Sequence, residues 1–200
     1  MASSVEIANR ALTKLGAARI VAFSDNNKQA KFMSANYDII RQAELRAHVW
    51  SFAKKRTTLP ASATAPSWQF AKAYELPEDC LRVTQVNDIS TVYGLQDAFT
   101  SDDRPFMITG RTIETDYGAP LRVIYIRDLS DTAIYDALFV EAFAAKLAME
   151  GCEEITGSTT KWQKANQDYK MAINQAVLVN SIELPPAPLQ ETSWTMAGRT

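Results

Sequence analysis

LRVIYIRDLSDTAIYDALFVEAFAAKLAMEGCEEITGS, residues 121–158, changes its period halfway along. Leu121, Val123 and Tyr125 alternate against Arg122, Ile124 and Ile126, which is the two-residue period of a strand. Past Ser130, a good helix cap, apolar residues return every three or four positions: Ile134, Leu138, Ala142, Ala145, Met149 and Cys152. Phe139 and Phe143 lie alongside. The spacing predicts a helix over Ala133–Glu153, and so wide an apolar face predicts burial on two sides. A strand that runs straight into a helix of this kind belongs to a chain that mixes both element types.

Working outward, Gly157 breaks the helix and Ser158 can cap another. A helix is predicted over Thr159–Ser181, with Trp162, Ala165, Tyr169, Ala172, Ala176 and Val179 as its stripe. Upstream, residues 56–128 are punctuated by Pro60, Pro66, Pro77, Pro105 and Pro120, and by Gly94, Gly110 and Gly118. Short β-type runs lie between them: Trp68–Leu76, Leu81–Val86, Phe106–Ile108, Thr112–Thr115 and Leu121–Ile126. MITGRTIET reads as a hairpin turning at Gly110. This middle is expected to be a small antiparallel sheet or sandwich. At the start of the chain, Ser3 and Glu6 have capping-box spacing and Gly16 is a natural stop, so a helix is predicted over Val5–Leu15 with Val5, Ala8, Leu12 and Leu15 inward. After the link AARIVAFSDNN, a long helix is predicted over Lys28–Lys55, with Phe32, Asn36, Ile39, Ala43, Ala47 and Trp50 on one stripe and Ile40 beside it.

The predicted class is therefore α+β. The expected form is an antiparallel helical bundle of four main helices, with an inserted small antiparallel β-domain and an extended C-terminal arm. The corresponding division is 1–56 for the first half of the bundle, 57–128 for the β-rich insert, 129–184 for the second half and 185–200 for the arm. Pro185, Pro186 and Pro188 remove donors and fix φ, so extended polyproline-type backbone is expected where the arm begins. Leu189, Trp194 and Met196 in the arm are candidate contacts to a neighbouring subunit. A tail that folds back on its own domain or stays loose is the plainer reading.

Two hundred residues can bury a core unaided, and 46% hydrophobic with 22% charged residues is ordinary for a globular protein. No run approaches the length a membrane helix needs, and MASSVEIANRALTKLG lacks the form of a signal peptide, so a cytoplasmic site of synthesis is expected. Cys80 and Cys152 read as small buried residues, not as a disulfide framework. The net charge of −2 conceals a basic first quarter, with ten Lys and Arg against four acids in residues 1–56, and an acidic remainder. Such a chain suits head-to-tail contact with its own copies, or contact between its basic end and an acidic neighbour; a solvated helix face explains the charges equally simply.

No familiar chemistry emerges. His48 is the one histidine, which excludes the paired-His zinc motifs, and no phosphate-cradling glycine loop or nucleophile elbow is present. Asp102–Asp103 and Glu153–Glu154 read as turn and surface residues. No catalytic group, metal or cofactor is expected. Arg41, Arg46, Lys54, Lys55 and Arg56, with Trp50 and Phe52 among them, form a candidate basic surface facing DNA or an acidic neighbour. A sequence pI near 5.5 weighs against a dedicated DNA binder.

IANRALTKLGAARI, RAHVWSFAKKRTTLP, YELPEDCLRVTQV and residues 121–158, followed by a last helix and a proline-containing tail, together resemble the tail tubular protein A family, the head-to-tail adaptors of short-tailed bacteriophages. The likeness covers nearly the whole chain, although its marks are patterns of order and residue type. It implies a structural virion protein at the head–tail junction and no enzyme. It further implies a closed ring of self-associated copies, twelve in the family, below the portal protein and above the tail nozzle (tail tubular protein B-like), with tail fibres at the sides. Genomic DNA would pass through the channel without sequence-specific binding. The alternative is a monomeric interaction or DNA-binding module.

Overall fold

The computed structural model describes residues 3–91 and 105–183. Four helices and seven strands occur among them. Helix α1 spans Ser4–Leu15 and opens with the expected capping box: the Glu6 amide donates to Ser3 Oγ at 3.2 Å and the Ser3 amide to Glu6 Oε2 at 2.6 Å. Gly16 ends it at φ +66°, a conformation that glycine adopts without a Cβ penalty. Ile7, Ala8, Ala11, Leu12 and Leu15 make its buried side.

Helix α2 spans Lys28–Ala47, eight residues short of the expected Lys55. Tertiary partners take its last carbonyls: Trp50 Nε1 donates to the Glu44 carbonyl at 3.0 Å, and the Arg82 guanidinium approaches those of Arg46 and Ala47 at 3.4 and 3.3 Å. A helix whose terminal acceptors are satisfied from outside has no need of another turn. The chain instead makes a single 3-10 turn at Ser51–Ala53 and enters strand β1, Lys54–Leu59. The buried side of α2 also differs from the expected stripe. It runs through Ala30, Phe32, Met33, Tyr37, Ile40, Arg41, Glu44 and Leu45, so Phe32 is inward as expected while Ile39 points outward.

Six further strands follow: β2 (Lys72–Glu75), β3 (Cys80–Val86), β4 (Ile89–Ser90), β5 (Phe106–Thr109), β6 (Thr112–Thr115) and β7 (Leu121–Arg127). They form two antiparallel sheets, β1-β7-β3-β4 and β2-β6-β5. The hairpin β5–β6 turns at Gly110, φ +59°, as its sequence predicts. Strand β1 pairs with β7 from Lys54↔Ile126 to Leu59↔Leu121. Leu121, Val123 and Tyr125 of β7 face a core shared with Leu59, Tyr74, Val83, Val86, Phe106 and Ile113. Ile126 belongs to the other core, among the helices. One strand thus serves two cores because its alternate side chains point to opposite faces.

Helix α3, Ala137–Thr156, starts later than predicted. Ser130 is not its cap; a 3-10 turn at Thr132–Ile134 intervenes, and Asp136 caps α3 by accepting from the Leu138 and Phe139 amides at 2.8 and 3.2 Å. Helix α4 spans Thr159–Glu183. The helices do not make the expected four-helix bundle. In a bundle each helix buries one stripe against two neighbours. Here α3 is central and buried on most of its circumference, through Phe139, Ala142–Ala145, Leu147, Ala148, Gly151 and Cys152. Helices α1, α2 and α4 lie mainly against it and touch one another little. Small side chains permit this: Gly151 faces the Phe32 ring of α2 so closely that a Cβ would come within 2.7 Å. The fourth side of a bundle is replaced by the larger sheet, since α2 also leans on β3 and β7. The correction leaves an α+β protein: three helices around a fourth, resting on a four-stranded sheet backed by a three-stranded one.

Candidate functional site

The join between helices and sheet collects most of the basic residues singled out in sequence, and it disperses them. Arg41 is 4% exposed. Its Nη1 donates to Asp128 Oδ1 and, at 2.9 Å, to the Leu129 carbonyl; its Nε reaches Asp38 Oδ1 at 3.1 Å. It is an internal bolt and cannot belong to a basic surface. Arg46 is exposed but its Nη1 donates to the Leu81 carbonyl of β3. Lys54 is half-buried, and its ammonium is held below the usual lysine range, first by burial and then by Arg56. Lys55 donates to Asp79 Oδ2 at 2.8 Å, which holds its own pKa above the usual range. Arg56, like Lys55, is exposed on β1. Strand geometry explains the dispersal: successive side chains of Lys54, Lys55 and Arg56 alternate across the sheet, whereas a helix would have fanned them over one end.

The aromatic residues between these cations are core. Trp50 is fully buried, with Phe139 at 5.0 Å and Phe52 at 5.9 Å between ring centroids. His48 caps α2 edge-on to Trp50, 5.6 Å away, and burial and then the Arg82 charge push its pKa below the ordinary value. Cys80 and Cys152 are both buried and free. Among the described residues no cluster of three or more His, Cys, Asp and Glu side chains is placed to hold a metal, and no helix is long and apolar enough to cross a membrane. Leu189, Trp194 and Met196 lie outside the described residues.

Two surface features escape the sequence reading. The first is a polar concavity of about 600 Å³ beside α1, lined by Glu6, Asn9, Arg10, Thr13, Lys14 and Arg19. Arg10 and Lys14 both close on Glu141 of α3, holding its carboxyl below the usual range against the opposing effect of burial. The second is on α4. Met171, Leu178 and Ile182 are 57%, 63% and 76% exposed. At 3.6 residues per turn they fall on the side opposite Ala165, Ile173 and Ala176, which pack on the body. Trp162 and Val179, expected on the inner stripe, are also partly exposed, at 41% and 36%. The signal was in the sequence, because Met171, Leu178 and Ile182 are separated by steps of seven and four. A second apolar stripe on one helix is readily masked by the first.

Elsewhere, Val21 is 88% and Ile39 66% exposed, on the link after α1 and on the outer side of α2. Scattered apolar residues on a surface are normal, but a row along one helix face is the arrangement that marks contact with another surface. No family model matches the sequence, and no curated protein matches it.

Proposed function

We propose that this chain is a structural subunit of the head-to-tail junction of a short-tailed bacteriophage, similar to tail tubular protein A, and that it works as one member of a closed ring between portal and tail nozzle. The observation that carries this reading is the outward apolar row on α4, Met171, Leu178 and Ile182. An apolar row left open on one face suits contact with another copy, and a head-to-tail contact closes into a ring when its rotation allows. The motifs quoted from the sequence supply the family. Rigidity supports it too: a ring that conducts DNA under load needs subunits whose layers do not slide, and Arg41, Arg46 and Arg82 bolt the helices to the sheet. In this reading the protein performs no chemistry. Its partners are its own copies, the portal, the nozzle and, at the sides, tail fibres.

The test is the mass of the purified chain by light scattering after gel filtration, alone and mixed with the portal protein of the same phage. A ring-sized species in either condition supports the reading. A 22.2 kDa species that ignores the portal overturns it.

A further inference from the structure

The row on α4 ends at Ile182, one residue before the last described residue, and the chain continues for seventeen more, Leu184–Thr200. Those residues include three large apolar side chains, Leu189, Trp194 and Met196, after Pro185, Pro186 and Pro188. We propose that residues 189–196 of one copy dock on the Met171–Leu178–Ile182 row of a second copy. The inference deepens the ring reading by naming the contact.

Length is the first argument. Met171 to Ile182 spans ~16 Å at ~1.5 Å per helical residue. Leu189 to Trp194 spans the same ~16 Å at ~3.3 Å per extended residue. Two anchors on an extended segment therefore match the two ends of the row. The second argument is the character of the flanks. Gln167, Asn174 and Gln175 are exposed beside the row. Their amides can both donate and accept, which is what an extended backbone with free N–H and C=O groups requires. A second helix would offer them side chains alone, because its backbone groups are bonded internally.

Direction decides between the chain's own row and another copy's. Leu184, Pro185 and Ala187 each precede a proline, which steers them to extended backbone, and each proline fixes its own φ. Polyproline-type backbone over four residues would carry the chain ~12 Å past the helix end, at ~3.1 Å each. A tight reversal onto the same helix is opposed at the very residues where it would have to occur. Pairing two α4 rows face to face is the other self-contact, and the variant altered only in its tail separates the two, because it keeps its row and would still associate.

The test is complementation between two full-length variants. One carries Met171→Asp and Leu178→Asp, with its tail intact. The other carries Leu189→Ser, Trp194→Ser and Met196→Ser, with its row intact. All the altered α4 positions are exposed, and circular dichroism checks that both variants fold. Wild type is expected to associate as concentration rises, each variant alone to stay at 22.2 kDa, and their mixture to form a pair of twice that mass. A mixture that stays monomeric, or a variant that associates as wild type does, overturns the docking. So does a wild type that remains monomeric at every concentration. A ring that forms on the portal from the tail variant would remove this contact and leave the adaptor reading standing.

Discussion

Replacing Arg41 by Met tests whether the helices are bolted to the sheet as described. The Arg41 side chain is 5% exposed and that of Asp128 28%. The substitution keeps the apolar stem and removes the charge. Three acceptors lose a donor, unequally. Asp38 is 76% exposed and is rehydrated at once. The Leu129 carbonyl keeps the Tyr135 hydroxyl at 2.6 Å, and Asp128 keeps the Gln42 amide at 2.7 Å. Removing one member of a fully buried pair costs ~3–5 kcal/mol. Residual partners and partial access to water bring the expected loss here to ~2–3 kcal/mol, close to one or two charge-assisted hydrogen bonds. In equilibrium urea unfolding the midpoint should fall with no change of slope. Asp38→Asn should cost under ~0.5 kcal/mol, as exposed pairs do. The double variant Arg41→Met with Asp128→Asn should lose less than the sum of the singles, because the two share a contact. A loss below ~0.5 kcal/mol for Arg41→Met, or strict additivity, would show that the bolt carries no load.

Three further outcomes are expected. Gly151→Ala gains up to ~1 kcal/mol of helix propensity but drives a Cβ to 2.7 Å from the buried Phe32 ring, an overpacking cost of ~1–3 kcal/mol; thermal unfolding should show a net loss, and a stabilised variant would mean that the ring can move aside. Phe139→Ala should cost ~3–5 kcal/mol in chemical denaturation, since Phe139 meets Trp50, Phe52 and Tyr135 within 5.1 Å, and a loss under ~2 kcal/mol would contradict its central place. Burial holds the Glu44 carboxyl above its ordinary 4.5, with the Tyr169 hydroxyl and Lys146 opposing. The folded chain then holds this proton more tightly than the unfolded one, so the stabilisation is complete below the ordinary value and is lost as pH rises through the folded one. Glu44→Gln should flatten that decline in unfolding measured from acid to neutral pH, and an unchanged profile would assign the decline to other groups.

The mixed class and most strand positions were legible because β7 and the hairpin at Gly110 carry strict alternation and a turn residue at the right place. The start of α1 was legible because a capping box is local. What was not legible depends on distant residues. Helix α2 ends at Ala47 because Arg82, thirty-five residues on, takes its final carbonyl, and no periodicity in HVWSFAKK announces that. Arg41 reads as a surface cation until Asp128 is brought beside it. The bundle expectation failed through α3, whose Ala- and Gly-rich sequence lets helices approach from several sides while looking like a broad single stripe. The α4 row was visible as spacing, but a stripe that packs and a stripe that waits have the same composition.

Strands β1 and β7 leave the helical layer as immediate neighbours, Lys54 opposite Ile126, with the ladder beginning at the point of departure. A single covalent link between two bodies behaves as a swivel. Two links ~5 Å apart and cross-bonded along their length behave as a strut. Twisting the sheets against the helices would have to break ladder hydrogen bonds before any loop could yield. Torque applied to the sheets therefore reaches the helices through a cross-bonded pair of strands and not through a single flexible link.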